Sequence, residues 1–580
     1  MDPITAAGIG LSVASLALQA FAGCVKGYQL FAEARDMPAQ YHHLRIRLRI
    51  EQERLLNWGE KVGLEQERIK NPSRLLQQNG NLIIDIMLEM QATFRETVII
   101  EGTYAQYDPQ PAPEDSTTPD KLRPTTPDKI RPTSMMLEKT LMFLEKVPKK
   151  TKSRLTWAMV KRDKFKTLID KLIGHNTYIE GLLDNVAMEQ LQFMQQQTYM
   201  AILQLNSNVA ELKEISLAMQ IRTSTSTPSL HTSSDTSEHD SSRTSFARLA
   251  DFKAQQIALD EEPSEMEPIK SEKVHVEESD DESRSEAVYQ SKRIWIEWKY
   301  YDLSTDPRSD WNKTIEKRIK KLAILLSSDK KPEQFGAPHC LGYFNDEEER
   351  YGFLYRKPID VPPETTPTSL HTLLDPASAP SLTKRITLAH SISRSLMYLH
   401  SVNWLHKGLR SHNILFFYPP TSQPQYHSPT ISGFEYARPD LPDEKTDRPP
   451  LSKDNIYRHP HIFRDDASRS QKSHDIYSLG VVLVEIAYWQ PIDKIMGIGN
   501  ADRDLKGVWK VRERLLKEGV LKKVEGFVGE VYARVVRRCL VGGRELGVEE
   551  GEDEGGAKVG RKMQAVLAEE IVGKLGGIRV

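Results

Sequence analysis

PITAAGIGLSVASLALQAFAGCV, residues 3–25, contains no charged side chain, and its reading decides how the N-terminal half is built. The run is long enough to cross the ~30 Å hydrocarbon layer of a bilayer as a helix. It is made of Ala, Gly, Ser and Thr as much as of Leu and Val, and it contains Gln19. Such a run is a poor membrane span and a good buried helix, because small side chains let helices approach closely. Packing in a soluble bundle is the preferred reading, ahead of a helix that also enters a bilayer and of a constitutive anchor. The early charge is Asp2, and the first lysine is Lys26, after the run. A signal peptide, with its positively charged start, is not expected.

Outward from this stretch the chain reads as long helices. Leu44, Ile46, Leu48, Leu55, Leu56 and Leu64 recur among charges in 38–70, and 81–101 and 135–147 continue the pattern. In 181–220, Leu205, Val209, Leu212, Ile215 and Met219 fall on one helix face, a stripe best explained by core packing. No alternating strand pattern interrupts the first 220 residues, so 1–220 is expected to be an all-α bundle. Residues 108–133 hold seven prolines and a repeated octapeptide, TTPDKLRP and TTPDKIRP, which excludes helix and predicts an extended insert. The stretch 146–166 is rich in Lys and Arg with Asp163 its sole acid. A solvated helix face explains it; the sharper alternative is a surface for anionic lipid with Trp157 at the interface.

Residues 222–247 are small and polar and 260–283 are strongly acidic, so 221–288 is expected to be a disordered Ser/Thr-rich linker. From 289 to 580 the character changes: RIWIEWKYY (293–301) is strand-like, and helices and short strands alternate. Composition sets further bounds. There are 79 basic and 81 acidic residues in 580, without the basic excess of a nucleic-acid binder, so no nucleic-acid partner is expected. Cys24, Cys340 and Cys539 are too few and too scattered for a disulfide framework or a cysteine metal site, and they fit a reducing compartment.

LHKGLRSHNILFF (405–417), placed after the helical run 381–401, resembles the catalytic loop of protein kinases, H-R-D-L-x-x-x-N. His406, Leu409 and Asn413 match, while Gly408 stands where the catalytic aspartate belongs. TISGFEYARP (430–439) is similar to the family's metal-binding segment, with Ile431, Phe434 and Ala437 in place, Gly433 for the aspartate and Glu435 for the next glycine. Asp475, Ser478 and Gly480 match the helix that begins D-x-x-S-x-G. YRHPH (457–461) and VVRRCL (535–540) match the end of the activation segment and a late helix. The resemblance implies an α+β bilobal kinase-like domain over 289–580. It also implies that Lys299 is the strand lysine, Glu316 its helix partner and Asn413 a remaining cofactor-binding residue. With both carboxylates missing and no glycine in 275–292, it implies a pseudokinase, with no catalytic residue and with ATP binding disfavoured.

The first helix, followed by LRIRLRIEQERLLNWGEKVGL (44–64), resembles the fungal HeLo domain of the prion-inhibition and propagation family. Leu48, Glu51, Arg54, Leu55, Trp58 and Gly59 carry the likeness. The resemblance implies a helical bundle of roughly this length whose apolar first helix, once released, permeabilises membranes. Together these readings predict a multidomain cell-death or heterokaryon-incompatibility effector, cytoplasmic and recruited to the plasma membrane. Its partners would be a protein activator bound by the kinase-like domain and anionic lipid met by the bundle, with self-association left open. The alternatives are an atypical ATP-binding kinase using Lys299, Asn413 and Glu435, and a non-enzymatic scaffold.

Overall fold

The computed structural model describes residues 3–34, 36–64, 73–97, 157, 160–224, 236–261, 266–278, 283–300, 310–346, 350–434, 437–439, 456–463, 470–498, 511–549, 551–554 and 556–580. The chain divides into two compact units, residues 1–202 with 217–231, and residues 203–216 with 232–580.

In the first unit every described helix or strand segment is helical. α1 (Pro3–Ala32), α2 (His42–Val62) and α3 (Arg74–Thr97) pack with the helix Arg162–Glu180 around one core. From Ala17 onward α1 lines that core with Ala20, Phe21, Cys24, Val25, Tyr28 and Phe31. Burying each large side chain of this set contributes about 1.5–3 kcal/mol. The small residues set the spacing. A Cβ on Gly23 would lie 2.4 Å from Gln91 Nε2 and one on Gly27 2.5 Å from the Phe94 ring, so α1 meets α3 along a glycine edge. One on Gly59 of α2 would lie 2.2 Å from the Phe21 ring. Gln91 Nε2 donates to the Ala20 carbonyl at 2.9 Å and Cys24 Sγ to that of Met87 at 3.1 Å.

The stripe at 205–219 is not one helix. Asn185–Leu205 ends before Asn206, and Val209–Ser224 restarts with the Asn208 side chain accepting from Glu211 N at 3.1 Å, an N-cap. The 3.6-residue period survives the break, which is why periodicity alone missed it. The Pro-rich insert 108–133, the helix expected at 135–147 and residues 146–156 of the basic stretch lie outside the described residues.

The second unit corrects the expected linker. Thr236–Glu261 is a helix, with Phe246, Leu249, Ala250, Phe252 and Ala254 buried. The polar stretches 222–247 and 260–283 flank an apolar half-helix, 245–259, which a composition average over the whole segment hides. Two of the unit's strands also fall inside the expected linker. β1 (Val274–Val276), β2 (Arg284–Tyr289), β3 (Lys292–Tyr300), β4 (His339–Asp346) and β5 (Arg350–Arg356) form a curled antiparallel sheet ordered β1-β2-β3-β5-β4. The helix Asp310–Ser327 lies between β3 and β4 in sequence. Helices follow, among them Leu382–Ser401, Lys472–Tyr488 and Glu530–Val541, with a small sheet β6 (Thr368–Ser369), β8 (Ile414–Phe416) and β9 (Thr430–Ile431), and with β7 (Trp404–Leu405) pairing elsewhere. Lys472–Tyr488 is buried nearly all round, and a Cβ on Gly480 would sit 2.8 Å from Cys539 Cβ, so Gly480 sets its closest approach to Glu530–Val541.

Candidate functional site

The polar cluster of the second unit is built on the segment 405–413 between β7 and β8. Its backbone is held from below by Asp475, near the start of Lys472–Tyr488. The buried carboxylate accepts His406 N at 2.7 Å, Lys407 N at 2.8 Å and His400 Nε2 at 3.2 Å. Burial opposes its charge, but the hydrogen bond and charge of His400, with help from His406, hold its pKa below the usual carboxylate range. Lys407 takes φ 63°, a left-handed turn that this anchoring supports. His406 and Trp404 pack on Phe434, with ring centroids 4.6 and 5.7 Å apart, so the loops 405–413 and 430–434 are one packed body.

At the centre the two glycines face each other. A Cβ on Gly408 would lie 2.6 Å from the Gly433 carbonyl oxygen, and one on Gly433, at φ 82°, would lie 1.9 Å from Asn413 Nδ2. Neither position admits an aspartate as the site stands. Asn413 is spent within the protein: Nδ2 donates to the Gly408 carbonyl at 2.8 Å, and Oδ1 accepts from Arg284 at 2.5 Å. Arg284, at the start of β2, also donates to the His412 carbonyl at 2.8 Å, Ser432 Oγ at 3.0 Å and Glu297 Oε1 at 3.2 Å. Glu297, on β3, accepts the Gly433 N–H at 3.2–3.3 Å. Four polar groups thus close on one guanidinium and one carboxylate, both nearly out of solvent.

Lys299, half-buried, stands two residues beyond Glu297 on β3 and opposite Tyr351. Glu316 is exposed on Asp310–Ser327, and its negative charge, second to burial, helps to raise the pKa of Tyr351. The two candidates therefore border one tyrosine, while Asn413 belongs to the Arg284 cluster. Glu435 lies outside the described residues. Arg284 and Glu297 are the residues that sequence reading missed. The signal was present: in IWIEWK a carboxylate sits between tryptophans in a strand that is otherwise buried, and such a charge requires a partner.

Near the expected activation-segment end, Tyr457 OH donates to Glu485 Oε1 at 2.6 Å and approaches Ser411 Oγ at 2.9 Å. Burial pushes the Glu485 carboxyl up to about 8, although Tyr457 and the Ile492 N–H donate to it.

In the first unit, the six residues chosen from 44–64 are all buried. Arg54 bonds Glu51 Oε2 at 2.7 Å and Glu180 Oε1 at 2.9 Å, and Trp58 Nε1 donates to the Ile179 carbonyl at 3.0 Å. Asn176 Nδ2 joins Glu51 Oε2 at 3.0 Å to Tyr28 OH at 3.2 Å, so the network reaches α1. Trp157 does not take the place at a lipid interface that the alternative reading of 146–166 gave it. It is buried against Tyr41 and Phe165, at ring distances of 4.8 and 5.1 Å, because an aromatic pocket offers it more than the basic sequence around it predicted. Among the described residues no helix is long and apolar enough to cross a membrane.

The geometry defines a helical bundle with a buried glycine-edged first helix, and a sheet-plus-helix unit with a closed polar cluster. Residues 8–215 match the HeLo model, described as prion-inhibition and propagation, so the N-terminal region is similar to HeLo domains, a family linked to fungal cell-death and incompatibility signalling. Residues 342–576 match a domain of unknown function (DUF7580). A comparison with curated proteins gave no match.

Proposed function

We propose that this chain is a cell-death or incompatibility-type signalling effector in which a kinase-like, catalytically inert second domain regulates a HeLo bundle whose first helix acts on membranes. The observation that carries the reading is α1 itself: in a region matched to HeLo, its apolar residues from Ala17 to Phe31 line the core, so releasing it would expose a long apolar surface. A two-state bundle biased by the second domain would supply that release. The kinase-like reading is supported by the motifs, by a helix between the third and fourth strands, and by the Asp475 carboxylate holding the 406–407 backbone. Inertness is supported by Gly408 and Gly433, where phosphoryl transfer needs carboxylates and each glycine lacks room for one. The cytoplasm, recruitment to the plasma membrane, anionic lipid, an activating protein and self-association complete the proposal.

The test uses the full chain and dye-loaded vesicles containing phosphatidylserine. Gly27→Leu drives a side chain into Phe94 and should loosen α1 and raise leakage. Adding Leu16→Asp, a charge within the apolar run, should abolish that leakage. A loosened, soluble chain that releases no dye would leave the scaffold reading. One observation favours that second reading already: no described helix meets the length and apolarity of a membrane span.

A further inference from the structure

The nucleotide and divalent metal that the kinase resemblance implies do not fit the residues present. The cation-holding groups there are Asn413 Oδ1, Ser432 Oγ, the His412 carbonyl and Glu297 Oε1. All of them are within 2.5–3.2 Å of one guanidinium, that of Arg284. We propose that Arg284 is the resident cation of this site, a built-in guanidinium that takes the place of a metal ion and of the nucleotide it would carry. The inference rests on the kinase-like reading of the second domain for what is displaced, but the cation site itself stands on these distances alone.

Three features make the arrangement specific. A planar guanidinium can serve several acceptors in different directions at once, which an ammonium on a flexible stem does not do. The Arg284 and Glu297 side chains are 11% and 4% exposed, so the pair is desolvated and would be costly to hold without partners on both sides. Arg284 sits on β2 and Glu297 on β3, whereas Asn413 and Ser432 sit on the loops flanking β8 and β9, so the cation ties the sheet to those loops.

Thermal unfolding of the full chain tests the assignment, with MgATP and methylguanidinium, both millimolar, as probes. The wild type should keep its transition temperature with MgATP, since a ligand that binds only the folded state would raise it. Arg284→Ala should unfold several degrees lower, Arg284→Lys should stay low, and methylguanidinium should restore much of the loss in Arg284→Ala alone. A wild type stabilised by MgATP, an Arg284→Ala chain as stable as the wild type, or one indifferent to methylguanidinium would each overturn the proposal. The double variant Arg284→Ala, Glu297→Ala separates the two claims. Stabilisation of that variant by MgATP supports the kinase-like reading beneath the plug. Its absence, beside intact methylguanidinium rescue of Arg284→Ala, removes that reading and leaves the cation assignment supported.

Discussion

Each unit buries an arginine against at least one carboxylate, and the two differ in what surrounds the charge. Arg54 lies in the bundle core with Glu51 and Glu180, 1%, 0% and 6% exposed, where helices meet and no ligand could reach. Burial alone would lower its pKa, but Glu180 and Glu51 outweigh that and hold it above its ordinary value. Arg284 lies instead where the sheet meets the loops carrying the kinase-like motifs, and its acceptors are polar groups of those loops. The same chemistry is architecture in one unit and occupancy of a site in the other, and the neighbours decide which.

The sharpest way to break this comparison is to remove the core cation. Arg54→Met removes the guanidinium that the buried Glu51 and Glu180 carboxylates share, and should cost about 3–5 kcal/mol in urea unfolding of the full chain. Adding Glu51→Gln and Glu180→Gln should recover a large part; a loss below about 1 kcal/mol would make the network incidental. Next in size is Gly433→Asp, which combines a left-handed backbone with a clash on Asn413. It should cost about 1–3 kcal/mol and give no phosphate transfer to a generic protein substrate, even paired with Gly408→Asp. Measurable transfer by that pair would mean the two glycines alone silence the domain.

A third test is by pH. The Glu485 carboxyl is raised in the folded state from 4.5 to about 8, so the folded chain holds a proton that the unfolded chain has released. Its contribution is complete below pH 4.5 and is lost as pH rises through about 8. Glu485→Gln, neutral throughout, should therefore match the wild type in acid and exceed it on the alkaline side by on the order of 1–3 kcal/mol. A constant gap across that range would remove the titration from the account. The smallest effect belongs to Glu316→Ala, which should stay within about 0.5 kcal/mol because the residue is exposed. A larger loss would restore it as a structural partner of Lys299.

The bundle was legible because its signals are local: a small-residue apolar run, apolar residues recurring among charges over 44–64, and no strand pattern. The residues that mark the HeLo likeness prove to be its packing and charge centre, Leu48, Glu51, Arg54, Leu55, Trp58 and Gly59. The Asn206–Asn208 break was not legible, since the helical phase continues across it. The helix Thr236–Glu261 hid inside polar flanks. In the second unit the motif residues located the cluster, and Asn413, Gly408 and Gly433 do meet there. Arg284 escaped because its partners on the loops are 128 to 148 residues away, a pairing that no period or motif encodes.

The most direct measurement of the central claim is hydrogen exchange of the full chain, by mass spectrometry, in solution and on vesicles containing phosphatidylserine. Amides of α1 from Ala17 to Ala32 should be strongly protected in solution, and on leaking vesicles they should change together while α2 keeps its protection. Unchanged protection of α1 on vesicles that leak would contradict the central claim.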